Sequence, residues 1–217
     1  MNYTLFKQFL YFSCKSHSFY ELYSELQNET THIDKITLKI LEERVSEIQP
    51  NLVLISVPFP GNLYTSLRCG QYIKKHYPLI KVAMGGGFAN TELRSLSDPR
   101  VFEFYDFITL DDGEAPLEVL INHLDGKIAA PELKRCFTLV DSKVQYINNS
   151  IWPDYKQANV GTPDYSGLLL DKYISAIEVV NPMHSLWSDG RWNKLTMAHG
   201  CYWGKCTFCD ISLDYIK

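Results

Sequence analysis

The spacing of apolar residues changes period several times along the chain, and each change marks a predicted element. Phe6, Phe9 and Leu10, then Phe19, Leu22, Tyr23 and Leu26, recur at helical spacing and predict two short helices joined near Ser16. Their many aromatics, from Tyr3 to Tyr23, suit a face packed onto the rest of the protein. Ile36, Ile40, Leu41, Val45 and Ile48 mark one side of a helix whose Glu42, Glu43 and Glu47 face solvent, and Pro50 ends it. Leu52 to Val57 is a continuous apolar run, the pattern of a strand buried on both faces. After a turn from Pro58 to Asn62, a helix turns Leu63, Leu67, Gly70 and Ile73 inward. Lys81 to Met84 forms a second strand, closed by Gly85, Gly86 and Gly87; Asn90 to Leu96 is helical, and Asp106 to Leu110 is a short third strand. Leu117, Leu120, Ile121 and Leu124 then form a helical stripe, and two alternating runs around Asp141-Ser142 predict a hairpin at the sheet edge or as an appendage.

Alternation of strand, loop and helix at these lengths argues for an α/β domain with a doubly wound, Rossmann-like parallel sheet over residues 1–150. Residues 151–193 read as a linker and 194–217 as the start of a further domain. Parallel sheets bind ligands beyond the carboxyl ends of their strands. Three loops are expected to meet there: Ser56 to Asn62, Gly85 to Asn90, and Asp111 to Glu114. A triple glycine serves equally as a tight turn or as a place where ligand groups approach the backbone.

Composition narrows the classes. The 217 residues are 46% hydrophobic and 21% charged, enough to build a core, and the net charge of −4 gives no basic field for nucleic acid or anionic membrane. No apolar run approaches the ~20 residues of a membrane helix, and no signal pattern opens the chain, so a cytoplasmic protein is expected. An α/β domain normally opens with an apolar strand, which is missing before the first helices; the chain is expected to be cut at its start.

The most distinctive chemistry lies near the end. Cys201, Cys206 and Cys209 stand with four and then two residues between them, in Leu195-Thr-Met-Ala-His-Gly-Cys201-Tyr-Trp-Gly-Lys-Cys206-Thr-Phe-Cys209. Three thiolates in one short loop suit zinc or an iron–sulfur cluster, and on a four-iron cube they leave one iron open. Zinc remains an alternative, because His199 completes a Cys3His set. Disulfides fit poorly, since Cys14, Cys69 and Cys136 are scattered.

A strand-like run from Lys194, Gly200, the three cysteines and Phe208 before the last of them resemble the opening of a radical S-adenosylmethionine (SAM) enzyme. The usual spacing is three and then two; Gly204 can absorb the extra residue as a bulge. The run Gly-Cys-Tyr-Trp-Gly-Lys-Cys-Thr-Phe-Cys is similar to that of a subgroup with a cobalamin-binding domain ahead of its barrel, and Pro163-Asp-Tyr-Ser-Gly-Leu168 resembles the connector. Independently of the cysteines, Val-Pro-Phe-Pro-Gly-Asn-Leu, the triple glycine, Asn-Thr-Glu-Leu-Arg94 and Leu-Asp-Asp-Gly-Glu-Ala-Pro116 resemble that cobalamin domain.

The resemblance implies that Cys201, Cys206 and Cys209 hold a 4Fe-4S cluster, that SAM chelates its open iron and that Phe208 lies near the adenine. It implies that Ser56, Pro58, Gly61, Asn62, Gly86, Gly87, Thr91, Glu92, Asp112, Gly113 and Glu114 hold cobalamin, residues that turn formation and capping would equally employ. The family's Asp-x-His-x-x-Gly run is absent, and His17, His32, His76 and His123 lie in other contexts, which puts a protein ligand below cobalt in doubt. The implied activity is reductive cleavage of SAM for methyl transfer to, or rearrangement of, an unreactive carbon. Its implied partners are a small-molecule or peptide substrate and an electron donor such as flavodoxin or ferredoxin. A barrel needs on the order of 200 residues, and eight follow Cys209, so the chain is expected to be a piece of a longer protein and inactive alone. The rival expectations are a non-catalytic cobalamin-binding or sensory module and a zinc-stabilised α/β domain.

Overall fold

The computed structural model describes residues 19–162 together with 164, 166, 203 and 205. The first predicted helix, the strand from Lys194 and the three cysteines lie outside the described residues. The chain divides into two compact units, Met1–Asp154 and Tyr155–Lys217.

The first unit is an α/β domain with five strands among its described residues: β1 (Leu52–Ser56), β2 (Lys81–Gly85), β3 (Phe107–Thr109), β4 (Cys136–Val140) and β5 (Lys143–Ile147). They lie side by side in chain order, with β1, β2 and β3 parallel and the β4–β5 hairpin antiparallel to β3. The sheet is therefore mixed rather than wholly parallel. The hairpin turns on Asp141 (φ 48°) and Ser142 (φ 60°), and positive φ at both central residues matches the twist of the flanking strands.

The helices among the described residues are α1 (Phe19–Gln27), α2 (His32–Ile48), α3 (Leu63–His76), α4 (Gly87–Glu92) and α5 (Glu114–Leu124). One sheet face meets α1 to α4 in a core that includes Leu26, Val45, Leu67, Ile73, Val82, Met84, Phe88, Ile108 and Phe137. On the other, among the described residues, α5 packs over Ala83, Phe107, Leu133, Cys136 and Ile147 through Val119 and Leu120. At Gly70 an added Cβ would stand 2.5 Å from the Phe104 carbonyl oxygen, so only glycine lets α3 approach that backbone.

Three sequence expectations are corrected. The helix after Thr31 does not turn Ile36, Ile40 and Ile48 inward; all three are exposed, and the inner stripe is Asp34, Leu38, Leu41 and Val45. Asp34 sets that rotation. It closes a capping box with Thr31 and lies 3.6 Å from Arg68 Nε, and both side chains are about 95% buried, with exposures of 4% and 5%. Arg68 also donates to the carbonyl of Leu26 at 2.8 Å and to the Tyr64 hydroxyl at 2.7 Å, tying α1 to α3. A pattern count sees an aspartate as polar and cannot see its buried partner.

Second, β1 is not buried on both faces: among the described residues it is the end strand, paired with β2, and Leu54 is exposed. Third, α5 turns Ala115, Pro116, Val119 and Leu120 into the core while Ile121 is exposed. The helix foreseen over 90–96 is the shorter α4, ending at Glu92. Beyond the hairpin, the described residues of the second unit include a single 3-10 turn at Gln157–Asn159. No helix among the described residues is long and apolar enough to cross a membrane.

Candidate ligand-binding cavity

Side chains alternate across a strand, so Leu54 and Ser56 share a face with Ala83, Gly85, Phe107 and Thr109. This is the face that α5 covers. Between α5 and the open end of the sheet lies a cavity of about 250 Å³, lined by Leu54, Ile55, Ser56, Ala83, Met84, Gly85, Gly86, Thr109, Asp111, Gly113 and Leu117. Leu54, Ala83 and Leu117 supply apolar surface; Ser56, Thr109 and Asp111 supply polar groups where the parallel strands end.

All three loops expected from the sequence contribute to it. Of the eleven predicted ligand residues, Ser56, Gly86 and Gly113 line the cavity. Asp112 stands between two lining residues and Glu114 is the first residue of α5. Gly61 and Asn62 sit in a 3-10 turn, Thr91 donates back to the Gly87 carbonyl at 3.1 Å, and Glu92 ends α4; none of these lines the cavity.

The glycines have an account within the chain. Gly86 has φ 99°, and an added Cβ would lie 2.8 Å from both Val57 N and Val57 O; at Gly87 it would lie 2.9 Å from the Pro58 carbonyl oxygen. Backbone approach between two loops fixes both residues, with Val57 N donating to Gly85 O at 2.8 Å and Phe88 N to Val57 O at 2.9 Å. Both glycines thereby hold the two loops close together beside the cavity.

The charged rim was not legible in the sequence. Asp111, at φ 64° a non-glycine residue in the left-handed region, is held by its N–H bond to Asn90 Oδ1 (2.6 Å), by an ion pair with Arg94 and by Arg135 Nε at 3.7 Å. Arg94 and Arg135 are far apart in sequence; Arg94 closes the Asn-Thr-Glu-Leu-Arg94 run, but nothing in that run pairs it with Asp111, and Arg135 belongs to no such run. The Arg135 guanidinium pulls the Asp154 carboxyl below its ordinary range, against burial, with help from Lys134. Burial lifts the Tyr146 phenol, and the Asp111 charge lifts it further.

The candidate metal ligands Cys201, Cys206 and Cys209, and Phe208, lie outside the described residues. Among the described residues no group of three His, Cys, Asp or Glu side chains is placed to hold a metal. Cys69 and Cys136 are free thiols that burial pushes up to about 11 and about 12, and so stay protonated at neutral pH. Lys205 extends over the Trp203 ring, 5.9 Å from its centre. Comparison of the chain with family models, curated proteins and solved structures finds no match in any of the three.

Proposed function

We propose that the chain is the N-terminal portion of a cobalamin-dependent radical SAM enzyme: a Rossmann-like cobalamin-binding domain, then a linker, then the cysteine loop that opens a SAM-cleaving domain. The observation that carries the first half is convergence. Ser56, Gly86, Asp111 and Gly113, drawn from three loops that resemble the cobalamin domain in sequence, line one cavity at the carboxyl ends of parallel strands.

The cavity's size and lining suit one flat ring system, such as the base of cobalamin's nucleotide tail, more than a whole corrin. Leu54, Ala83 and Leu117 offer it apolar contact, and the Ser56 and Thr109 hydroxyls offer hydrogen bonds. For the second half, the donor set itself is the support: three thiolates within nine residues match a 4Fe-4S cluster with one open iron. When bound, such cofactors supply the electron and the reactive carbon chemistry, and the chain's part is to hold and orient them. Asp112, Glu114 and the Pro58 to Asn62 turn border the same loops and are assigned to the cofactor's periphery.

Two titrations on the full chain test the halves separately. Anaerobic reconstitution with iron and sulfide is expected to give about four irons per chain and a broad blue–violet absorption; one tight zinc and no iron uptake overturns the cluster. Hydroxocobalamin is expected to bind with a changed corrin spectrum, weakened by Ala83→Trp, which fills the cavity. Unchanged binding in that variant removes the cavity from the reading, and no spectral change at all removes cobalamin.

A further inference from the structure

We propose that Arg135 is a positioning residue for the cavity rim and that Asp154 sets it, so that the point where the first unit ends is tied to the loop lining the cavity. This deepens the cavity reading and rests on it for its functional meaning; the geometry stands on its own.

Arg135 is anchored before its side chain does anything. Its carbonyl accepts from Leu110 N at 2.9 Å, its N–H donates to Asn148 Oδ1 at 3.2 Å, and its φ of 43° fixes it in the left-handed region. From that anchor the guanidinium divides its nitrogens between two directions. Nε is buried, makes no hydrogen bond among the described residues and lies 3.7 Å from Asp111 Oδ2 on the cavity rim. Nη2 donates to the Asp112 carbonyl at 3.1 Å and pairs with Asp154 Oδ1 at 2.8 Å. Lys134 reinforces the far side, reaching Asp154 Oδ1 at 3.4 Å and the Trp152 carbonyl at 2.7 Å.

The guanidinium is planar and rigid, so its two directions are not independent. If Asp154 pulls away, Nη2 loses its strongest partner, and the plane that also faces Asp111 and Asp112 is free to turn. Among the described residues, Asp111 then keeps Arg94 and Asn90 to hold a backbone conformation that non-glycine residues rarely adopt. Asp154 is also the last residue of the first compact unit. Movement at the boundary and order in the rim are thus linked through one side chain.

Amide hydrogen exchange on the full chain without ligand tests this directly. In Asp154→Asn, exchange at residues 110–114 is expected to rise by about threefold, the scale of a partly exposed ion pair, while amides of α3 and β2 keep the wild-type rate and show the fold intact. Asp111→Asn is expected to raise exchange at 150–154 in return, and Arg135→Lys, which keeps the charge but loses the fork, to raise both. Unchanged exchange at 110–114 in Asp154→Asn, with 150–154 loosened, overturns the proposal. Added hydroxocobalamin is expected to protect 110–114 and 150–154 together in the wild type, but only 110–114 in Asp154→Asn. If it protects nothing, the cavity reading fails, and the ligand-free comparison still decides the link.

Discussion

The two faces of the sheet are built from the same strands yet differ in how completely they are covered. Toward α1–α4, Leu67, Ile73 and Val82 are wholly buried, and glycine at 70 lets helix and backbone approach to contact. Toward α5, among the described residues, one helix covers part of the face, and the cavity lies at the strand ends, with Leu54 about half exposed at 48%. The difference teaches where stability and where binding reside. The packed face has no room to give, whereas the open face tolerates change because solvent or a ligand fills what a side chain leaves.

That contrast is broken or sharpened by four substitutions, each read by chemical denaturation. Leu67→Ala removes a fully buried side chain from the packed face and is expected to cost about 3 kcal/mol; a loss below about 1 kcal/mol would mean that the face repacks freely. Gly70→Ala forces a Cβ against the Phe104 carbonyl and is expected to cost about 2 kcal/mol, despite alanine's better helix propensity.

The third concerns Asp106 at the opposite end of β3. Burial disfavours its charge, but hydrogen bonds from Lys74 Nζ (2.8 Å) and Val82 N (2.9 Å), with Lys81 nearby, outweigh that and hold its carboxyl below the ordinary range. Its stabilising contribution is therefore complete above the unfolded value of about 3.9 and is lost as pH falls through the lower folded value. Asp106→Asn is expected to cost about 1.5 kcal/mol at neutral pH and to flatten the acid limb of the stability curve; an acid limb as steep as that of the wild type would reject the role. Smallest is Leu54→Ala on the open face, at about 0.5 kcal/mol or less, and a loss as large as that of Leu67→Ala would erase the contrast.

How far the sequence foretold this architecture depended on the range of the interactions involved. Strand positions and the hairpin are local: apolar runs bounded by turn residues specify Leu52–Ser56, Lys81–Gly85 and the Asp141–Ser142 turn almost residue by residue. Helix rotation is not local. The side of α2 that faces inward is decided by Arg68, which a buried Asp34 must meet, and no periodicity within 36–48 contains that information. The same holds for the cavity. Ser56, Gly86 and Gly113 were legible because loops after parallel strands are expected to converge; Thr109 required the strand alternation to be followed one residue further. Asp111 owes its orientation to Asn90, Arg94 and Arg135, partners from separate parts of the chain. The spacing of Cys201, Cys206 and Cys209, by contrast, is a local pattern, and these residues lie outside the described ones.

The order of the strands carries a kinetic consequence. Because β1 to β5 lie side by side in the sequence in which they are made, every pairing joins neighbours along the chain, and no segment must wait for a distant partner to arrive. Closing such short connections costs less entropy at each step than threading a strand into the middle of a finished sheet. The β4–β5 ribbon, with two residues in its turn, is the cheapest step of all and a natural place for ordering to begin. A sheet of this kind grows by addition at its edge, so from that ribbon β3, β2 and β1 can join in turn.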